Sequence, residues 1–398
     1  MPKLRFILRG LVCFGLILAL AACGRRESAD NAPEAQSTTR LEVVVFSTPT
    51  ATILAPTKTP LPTPRPIQPT ATPTPAVAPA TPTPGLSRAE NENPLTGLIV
   101  ADPAILKRRP LHVRVGNDPQ ARPQVNLSQA DLVYEDLVEW WITRLTAIYY
   151  GQAPEVVGPV RSARLINGQL TQQYQAALVN SGGSDGVRWE LSQLPIVNLD
   201  EYFHPQPYFY REGEPWQRRL AVNIAEAYTY MEAKELNAAV PLRGFMFDPT
   251  PVNGNPAGSI YIDYPAKDSK VLWRFNADTG EYERYVAGEP FIDAATDKII
   301  SVPNVIIYFA EHSETDIVED STGATSVRIN INGEGKAWIF RDRTLLEGRW
   351  RTDGAQTPEF VDAEGKPIPL RPGRSWIQVV PADYKILVNQ IPASFFGS

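Results

Sequence analysis

GNDPQARPQVNLSQADLVYEDLVEWWITRLTAIYYGQAPEVVGPVRSAR, residues 116–164, is the stretch of this chain that reads least like generic core. It carries Arg122, Arg144, Arg161 and Arg164 together with Asp118, Asp131, Glu135, Asp136 and Glu139. Its last piece runs from the apolar Val156 and Val157 through a Gly158-Pro159 turn into Arg161-Ser162-Ala163-Arg164, and then into the helical pattern Leu165, Ile166, Leu170, Tyr174. With Ser162 as N-cap, two guanidiniums flank a helix N-terminus whose free N–H groups and dipole already favour an anion. The stretch therefore predicts a bound phosphate, carboxylate or acidic side chain, without saying which.

Around it the pattern is one of strands alternating with helices. Residues 111–115 alternate in strand fashion and deliver the turn signal Asn117-Asp118-Pro119. Residues 132–134, 145–150 and 176–179 read as further strands, and Asn126 is placed to cap a short helix containing Ser128-Gln129-Ala130. A helix runs on to about Tyr174, another follows Ser181-Gly182-Gly183-Ser184, and Asn223 with Glu226 makes a capping box for a third. Such alternation argues for an α/β layer with ligands collecting at strand C-termini, where the Arg161 and Ser184 turns both fall.

From Ile260 onward the chain reads mainly as strands, at 259–264, 271–275, 282–286, 305–309, 326–331, 337–340, 345–350, 376–380 and 385–388. Asp278-Thr279-Gly280 and Asn332-Gly333 are hairpin turn signals between them. Trp273, Trp338, Trp350 and Trp376 suit the core of a small sandwich or barrel-like module. The expected fold class is α+β: an N-terminal α/β domain with a mixed sheet at 89–245, followed by a β-rich C-terminal domain at 246–398.

The residues before 89 have a different character. Lys3, Arg5 and Arg9 precede an apolar run, residues 11–22, that ends Leu20-Ala21-Ala22-Cys23. This is the arrangement of a bacterial lipoprotein signal, predicting cleavage after residue 22 and lipidation of Cys23. Lipid on Cys23 would hold the chain on a cell membrane, facing outside the cytoplasm. From 47 to 84 there are 12 Pro and 11 Thr among 38 residues, with little apolar surface to offset the entropy of ordering. Residues 23–88 are therefore expected to be a lipid anchor and disordered spacer, whose Pro/Thr part alone reaches about 120 Å when extended as polyproline II.

Composition narrows the function. The two cysteines, Cys13 and Cys23, both precede the folded part, which leaves it no disulfide framework, thiolate metal site or cysteine nucleophile. A net charge of −6 with no basic tract argues against nucleic acid as a partner. Gly182-Gly183-Ser184-Asp185-Gly186 matches the G-x-S-x-G nucleophile elbow, and a serine nucleophile would need a base from His112, His204 or His312. The competing reading makes the same turn a helix N-terminus that adds Gly183 and Ser184 donors to an anion pocket. Asp131, Glu135 and Glu139 suit acid–base work or calcium, or else they neutralise the nearby arginines. The Trp140-Trp141 pair is expected to be partly exposed. No cofactor or metal is implied.

N-P-L-T-G-L at 93–98, A-R-P-Q, L-S-Q-A-D and V-Y-E within 121–135, I-T-R at 142–144 and G-P-V-R-S-A-R at 158–164 resemble the YerB-like bacterial lipoproteins, the DUF3048 family. N-V-I-I at 304–307, G-R-W at 348–350 and P-G-R-S-W-I-Q-V-V-P at 372–381 are similar to its second domain, so the resemblance covers the chain after Asn93. It implies an envelope lipoprotein of two domains and no particular reaction. The family pattern has histidines where Asn180 and Val222 stand here, and Gly-Gly in place of Trp140-Trp141. The resemblance thus favours binding over catalysis: recognition of an anionic envelope ligand or a protein partner through Arg161, Ser162, Arg164, Arg122, Arg144, Asp118, Glu135, Gly183 and Ser184. The alternative is a serine- or carboxylate-dependent hydrolase or transferase acting on envelope glycans or lipid-linked precursors, with Ser184 as nucleophile.

Overall fold

The computed structural model describes residues 88–396. The signal peptide, Cys23 and nearly all of the Pro/Thr-rich spacer lie outside the described residues.

Strand β1 is Leu111–Val115, β2 is Leu132–Leu137 and β3 is Thr143–Tyr149. Helix α1, Ile166–Gln173, is followed by β4, Ala177–Asn180, then α2, Asp185–Ser192, and β5, Val197–Asp200. These strands are arranged β2-β3-β1-β4-β5, with β3 antiparallel to its neighbours and β1, β4 and β5 parallel. Every residue of β1 is buried, because both faces of the sheet are covered. Leu111, Val113 and Val115 enter one core, while on the other face His112 meets Tyr174 edge-on and Arg114 pairs with Asp136.

The sheet does not end with the N-terminal half. Strand β2 pairs in parallel with Ser375–Pro381, placing Tyr134 opposite Ile377, and Ser375–Pro381 pairs in parallel with the 15-residue strand Asn304–Val318. Gly333–Arg341, Thr344–Thr352 and Glu359–Val361 continue from there, so strands of both halves form one 12-stranded sheet. The fold class is α+β, with a mixed sheet and, among the described residues, the α-helices confined to the N-terminal half. The small sandwich or barrel-like module expected of the C-terminal half is not self-contained: its strands divide between this sheet and a second, six-stranded one. That second sheet contains Ser259–Ile262, Val271–Asn276, Glu281–Val286 and Ile386–Val388. Ile260, Ile262, Trp273 and Tyr282 from it pack with Leu111, Val113, Val133 and Tyr149 in a single core. The other face of the large sheet buries Tyr134, Ile148, Leu170 and Tyr174 with Ile306, Tyr308 and Ile377.

Turn chemistry explains several joints. Asp278-Thr279-Gly280 does close a hairpin, with Asn276 opposite Glu281 and Gly280 at φ +70°. Asn332-Gly333 does not. Thr325–Asn330 and Gly333–Arg341 both pair with Asn304–Val318, at successive positions along it, so Gly333 (φ +97°) marks a bend between two consecutive partners of one long strand. Asn126 also departs from expectation: it sits at φ 61° before a 3₁₀ turn, without a side-chain cap. Its amide donates to Val156 O at 2.7 Å and its oxygen accepts from Gln129 Nε2 at 2.6 Å. Asn223 caps its helix as expected, accepting from Glu226 N at 3.1 Å.

Candidate functional site

Because β1, β2, β4 and β5 run in one direction with Ser375–Pro381 and Asn304–Val318, their C-terminal ends make one edge. Asn117 and Asp118 follow β1 there, Glu139 to Trp141 follow β2, Ser181 to Ser184 follow β4, and Glu319 and Asp320 follow the long strand. The Arg161-to-Arg164 segment threads between the ends of β1 and β4. Arg161 N donates to Arg114 O at 2.8 Å, Ser181 N donates to Arg161 O at 3.0 Å, and Ala163 N donates to Gly182 O at 2.9 Å. The edge is where ligands collect in open sheets with parallel strands, and the topology brings most of the sequence-predicted residues to it.

Ser162 does not cap α1. The segment is held extended by the backbone bonds just given, the helix begins only at Ile166, and Ser162 Oγ donates to Ser181 O at 3.0 Å. Asn167 serves the helix start instead, its Oδ1 accepting from Arg164 N at 2.8 Å. The anticipated anion site at the N-terminus of α1 therefore does not form.

Arg164 and Arg144 are turned inward. Arg164 grips Glu139 with two donors, Nε to Oε2 at 2.7 Å and Nη2 to Oε1, and lies 3.4 Å from Glu319. Arg144 reaches the same Glu139 at 3.5 Å and donates to Ser162 O at 3.2 Å. Burial holds the Arg144 guanidinium down to about 9, and the charge of Arg164 beside it adds to the shift. These charges are spent on the protein's own carboxylates and staple the edge together.

Glu135 is likewise consumed. Fully buried, it accepts from Arg284 at 2.6 Å, Thr143 Oγ1 at 2.8 Å, Trp376 Nε1 and Gln378 Nε2 at 3.0 Å, and Asn117 Nδ2 at 3.2 Å. Arg284 lies over the rings of Phe291 and Trp376, 4.3 and 4.6 Å from their centroids. Asp131 accepts from Asn93, Tyr150 N and Gly151 N, and burial raises its pKa. Glu135 and Glu139 are thus ion-paired, to Arg284 and to Arg144 and Arg164, whereas Asp131 forms no salt bridge among the described residues and is held by an amide side chain and backbone N–H groups. Nothing local in the sequence marks Glu319 or Arg284, each more than a hundred residues from its partner.

Arg161 is different. Half-buried, it donates to the carbonyls of Gln217 and Val160 and forms no salt bridge among the described residues. Burial lowers its pKa, opposed by the charge of Asp118, which caps the Pro119–Ala121 turn by accepting from Ala121 N at 3.2 Å. Gly116 makes room for it: a Cβ there would stand 3.0 Å from Arg161 Cγ. Arg122 is tied to Asn117 O at 2.6 Å and Asp268 O at 2.8 Å, and burial lowers it to about 10.

Ser184 is the N-cap of α2, accepting from Val187 N at 3.4 Å, after Gly182 at φ +72°. Among the described residues no histidine hydrogen-bonds it. His204 pairs with Tyr230 OH at 2.7 Å, His312 with Ala310 O at 3.0 Å, and His112 is buried against Tyr174. Trp140 and Trp141, by contrast, are 59% and 47% exposed, and Trp189, Tyr202 and Phe203 are exposed on neighbouring elements. Trp273, Trp350 and Trp376 are core.

Known proteins resemble the chain over nearly the whole of this fold. The model of "Protein of unknown function (DUF3048) N-terminal domain" matches residues 95–245, and that of the corresponding C-terminal domain matches 260–377. A Bacillus subtilis (strain 168) protein carrying the name "Putative lipoprotein YerB" is 31% identical over 297 residues, 72% of this chain and 86% of that one. The crystal structure of the YerB protein from Bacillus subtilis superposes with a TM-score of 0.64 at 28% identity, covering 74% of this chain and 99% of that chain. With the shared sheet, the matched halves and this likeness together, the chain belongs to the YerB-like DUF3048 family and carries both of its domains.

Proposed function

We propose that this chain is a lipid-anchored envelope protein, facing outside the cytoplasm, that works by binding, and that Arg161 is the group that receives an acidic ligand or the acidic side chain of a partner. The observation that carries the reading is the contrast among the arginines of one edge. Arg144 and Arg164 are neutralised by Glu139 and Glu319, whereas among the described residues the Arg161 side chain hydrogen-bonds only backbone carbonyls, and it sits between the ends of β1 and β4. A guanidinium without a carboxylate, already partly desolvated, gains more from an arriving anion than one in water. The reading is supported further by the internal use of the edge's carboxylates, which hold guanidiniums and N–H donors. Anchoring rests on the Leu20-Ala21-Ala22-Cys23 signal and on the lipoprotein name of the Bacillus subtilis relative. The Pro/Thr spacer then sets the folded part at a distance from the membrane.

Calorimetric titration of the purified full chain with inorganic phosphate and with a polyanionic glycan tests the ligand class. Binding that is lost in Arg161→Gln and partly kept in Arg161→Lys is expected. Equal binding by wild type and Arg161→Gln, or none by either, overturns it. Anchoring is tested by Cys23→Ser, which is expected to move the protein from the membrane to the soluble fraction.

A further inference from the structure

The edge opposite Arg161, at the N-terminal ends of the parallel strands, holds a cavity of about 300 Å³ lined in part by Leu98, Pro303, Pro372 and Gly373. That volume is at the lower end of the range of small-molecule sites. Segments far apart in the chain build it. Pro303 precedes the strand Asn304–Val318, Pro372 and Gly373 precede Ser375–Pro381, and Leu98 follows Thr96, whose carbonyl accepts from Gly373 N at 2.7 Å. Asn304 fixes the turn, its Oδ1 accepting from Arg371 N at 2.9 Å and its Nδ2 donating to Arg371 O at 2.8 Å. Gly373, at φ +134°, lies so close to Pro303 that a Cβ would stand 2.6 Å from its Cγ. The walls are thus largely proline and tightly packed backbone, which lose little freedom when a ligand enters.

Charges of both signs line the same cavity: Glu281, Arg371 and Arg374. Among the described residues Arg374 forms no salt bridge; its Nη1 and Nη2 donate to the carbonyls of Ser128 and Ser301, and its Nε donates to nothing. Glu281 is likewise without a salt bridge among them, and only its Oε2 accepts a side-chain hydrogen bond, from Ser301 Oγ. Ser301 therefore holds a cation by its carbonyl and an anion by its hydroxyl, beside each other but unpaired. Burial lowers the pKa of Arg374, opposed by the charge of Glu281. Arg371 shares a carboxylate: its Nη1 lies 3.1 Å from Asp342, which Arg341 reaches at 2.7 Å. Its Nε and Nη2 have no hydrogen-bond partner among the described residues.

We infer that this cavity binds a small zwitterion, an α-amino acid with an apolar side chain. Arg371 and Arg374 are placed to receive its carboxylate, Glu281 its ammonium group, and Leu98 and the two prolines its side chain. The mixed charge of the lining discriminates against other occupants. A simple anion meets Glu281, a simple cation meets two guanidiniums, and a neutral ligand leaves both signs uncompensated. The inference does not rest on Arg161, which lies at the other edge of the sheet.

The test is calorimetric titration of the full chain in detergent with the L and D forms of leucine and alanine. Each is compared with the molecules that keep its apolar part and one of its charges: isocaproate and isoamylamine for leucine, propionate and ethylamine for alanine. At least one amino acid is expected to bind, and about tenfold or more tightly than either of its single-charge counterparts. Glu281→Gln keeps an acceptor for Ser301 Oγ and removes the charge, so the advantage of the amino acid over its carboxylate should disappear while the melting transition is preserved. The comparison of ligands on the wild type stands without that variant. Arg161→Gln is expected to leave this binding intact, which separates it from binding at the other edge. Binding by none of the amino acids, equal binding by a carboxylate or an amine, an undiminished advantage in Glu281→Gln, or loss of binding in Arg161→Gln would each overturn the inference.

Discussion

The carboxylate of Glu135 and the guanidinium of Arg284 form an ion pair, 2.6 Å apart, in which both side chains are fully out of solvent. Glu135 lies on β2 of the large sheet and Arg284 on Glu281–Val286 of the second, so the pair crosses the core between them and between the two halves of the sequence. Removing one partner leaves the other charge buried. Arg284→Met is therefore expected to destabilise by about 3–5 kcal/mol. Urea unfolding followed by tryptophan emission and by far-UV circular dichroism should show one coincident transition for the wild type. Two separated transitions would mean that the halves are not coupled through this pair and the shared sheet.

The arginines at the strand ends are predicted to separate by what they touch. Arg164→Gln leaves buried Glu319 without its cation and Glu139 with Arg144 alone, and should lower stability by about 3–5 kcal/mol. Arg161→Gln gives up only hydrogen bonds to carbonyls and should cost about 1 kcal/mol. Thermal melts of the two variants side by side read the difference. A larger loss from Arg161→Gln would make Arg161 the structural staple and remove the basis for a ligand there.

Ser184→Ala tests the nucleophile reading through stability as well as turnover. Loss of the cap on α2 is expected to cost about 1 kcal/mol, with Ser184→Asp restoring it because aspartate caps equally well. Hydrolysis of an envelope glycan that Ser184→Ala abolishes and Ser184→Asp fails to restore would instead establish catalysis.

The sequence showed which residues meet at the edge better than it showed how they are used there. β1 was legible to the residue, and the Arg161 and Ser184 turns were correctly placed at strand ends, since strand periodicity and Gly-rich turns are local signals. The parallel pairing of β2 with Ser375–Pro381 was not legible, because its two strands are more than two hundred residues apart and parallel ladders leave no turn between them. Ser162 looked like an N-cap because the serine precedes a helical pattern. What overrode it was competition for backbone: Arg114 O and Gly182 O take the N–H groups that a helix start would have left free. The left-handed φ of Trp140 and Trp141 was not legible either, because nothing in a Trp-Trp pair signals a backbone conformation that favours glycine.

The same φ values invert an ordinary rule. At an exposed position with right-handed or extended backbone, alanine is worth about 0.5–1 kcal/mol more than glycine. At Trp141, φ 57°, Trp141→Gly is expected to be more stable than Trp141→Ala by about 1 kcal/mol, as read from chemical denaturation. Trp140→Gly should gain less, because it also loses the bond from the indole to Asp320. If alanine proves the better residue at 141, the turn is not strained as described.

His112 sets an acid limit on stability. It is fully buried, neither ring nitrogen has a hydrogen-bond partner among the described residues, and burial pushes its pKa from the ordinary 6.5 down to about 3. A folded pKa below the unfolded one means that the unfolded chain takes up this proton first as pH falls. The contribution is complete above pH 6.5 and is lost progressively as pH drops towards about 3. Within that window the slope is about 1.4 kcal/mol per pH unit for this one group. Carboxylates lose their own contributions in the same range, so the useful quantity is a difference. His112→Phe keeps an aromatic ring against Tyr174 and cannot take up the proton. Urea unfolding at pH 7 and at pH 5 should therefore show the variant gaining on the wild type by about 2 kcal/mol over that interval. A difference that stays constant with pH would mean that His112 reaches solvent or a partner in the folded protein, and the sealed inner face of β1 would have to be reconsidered.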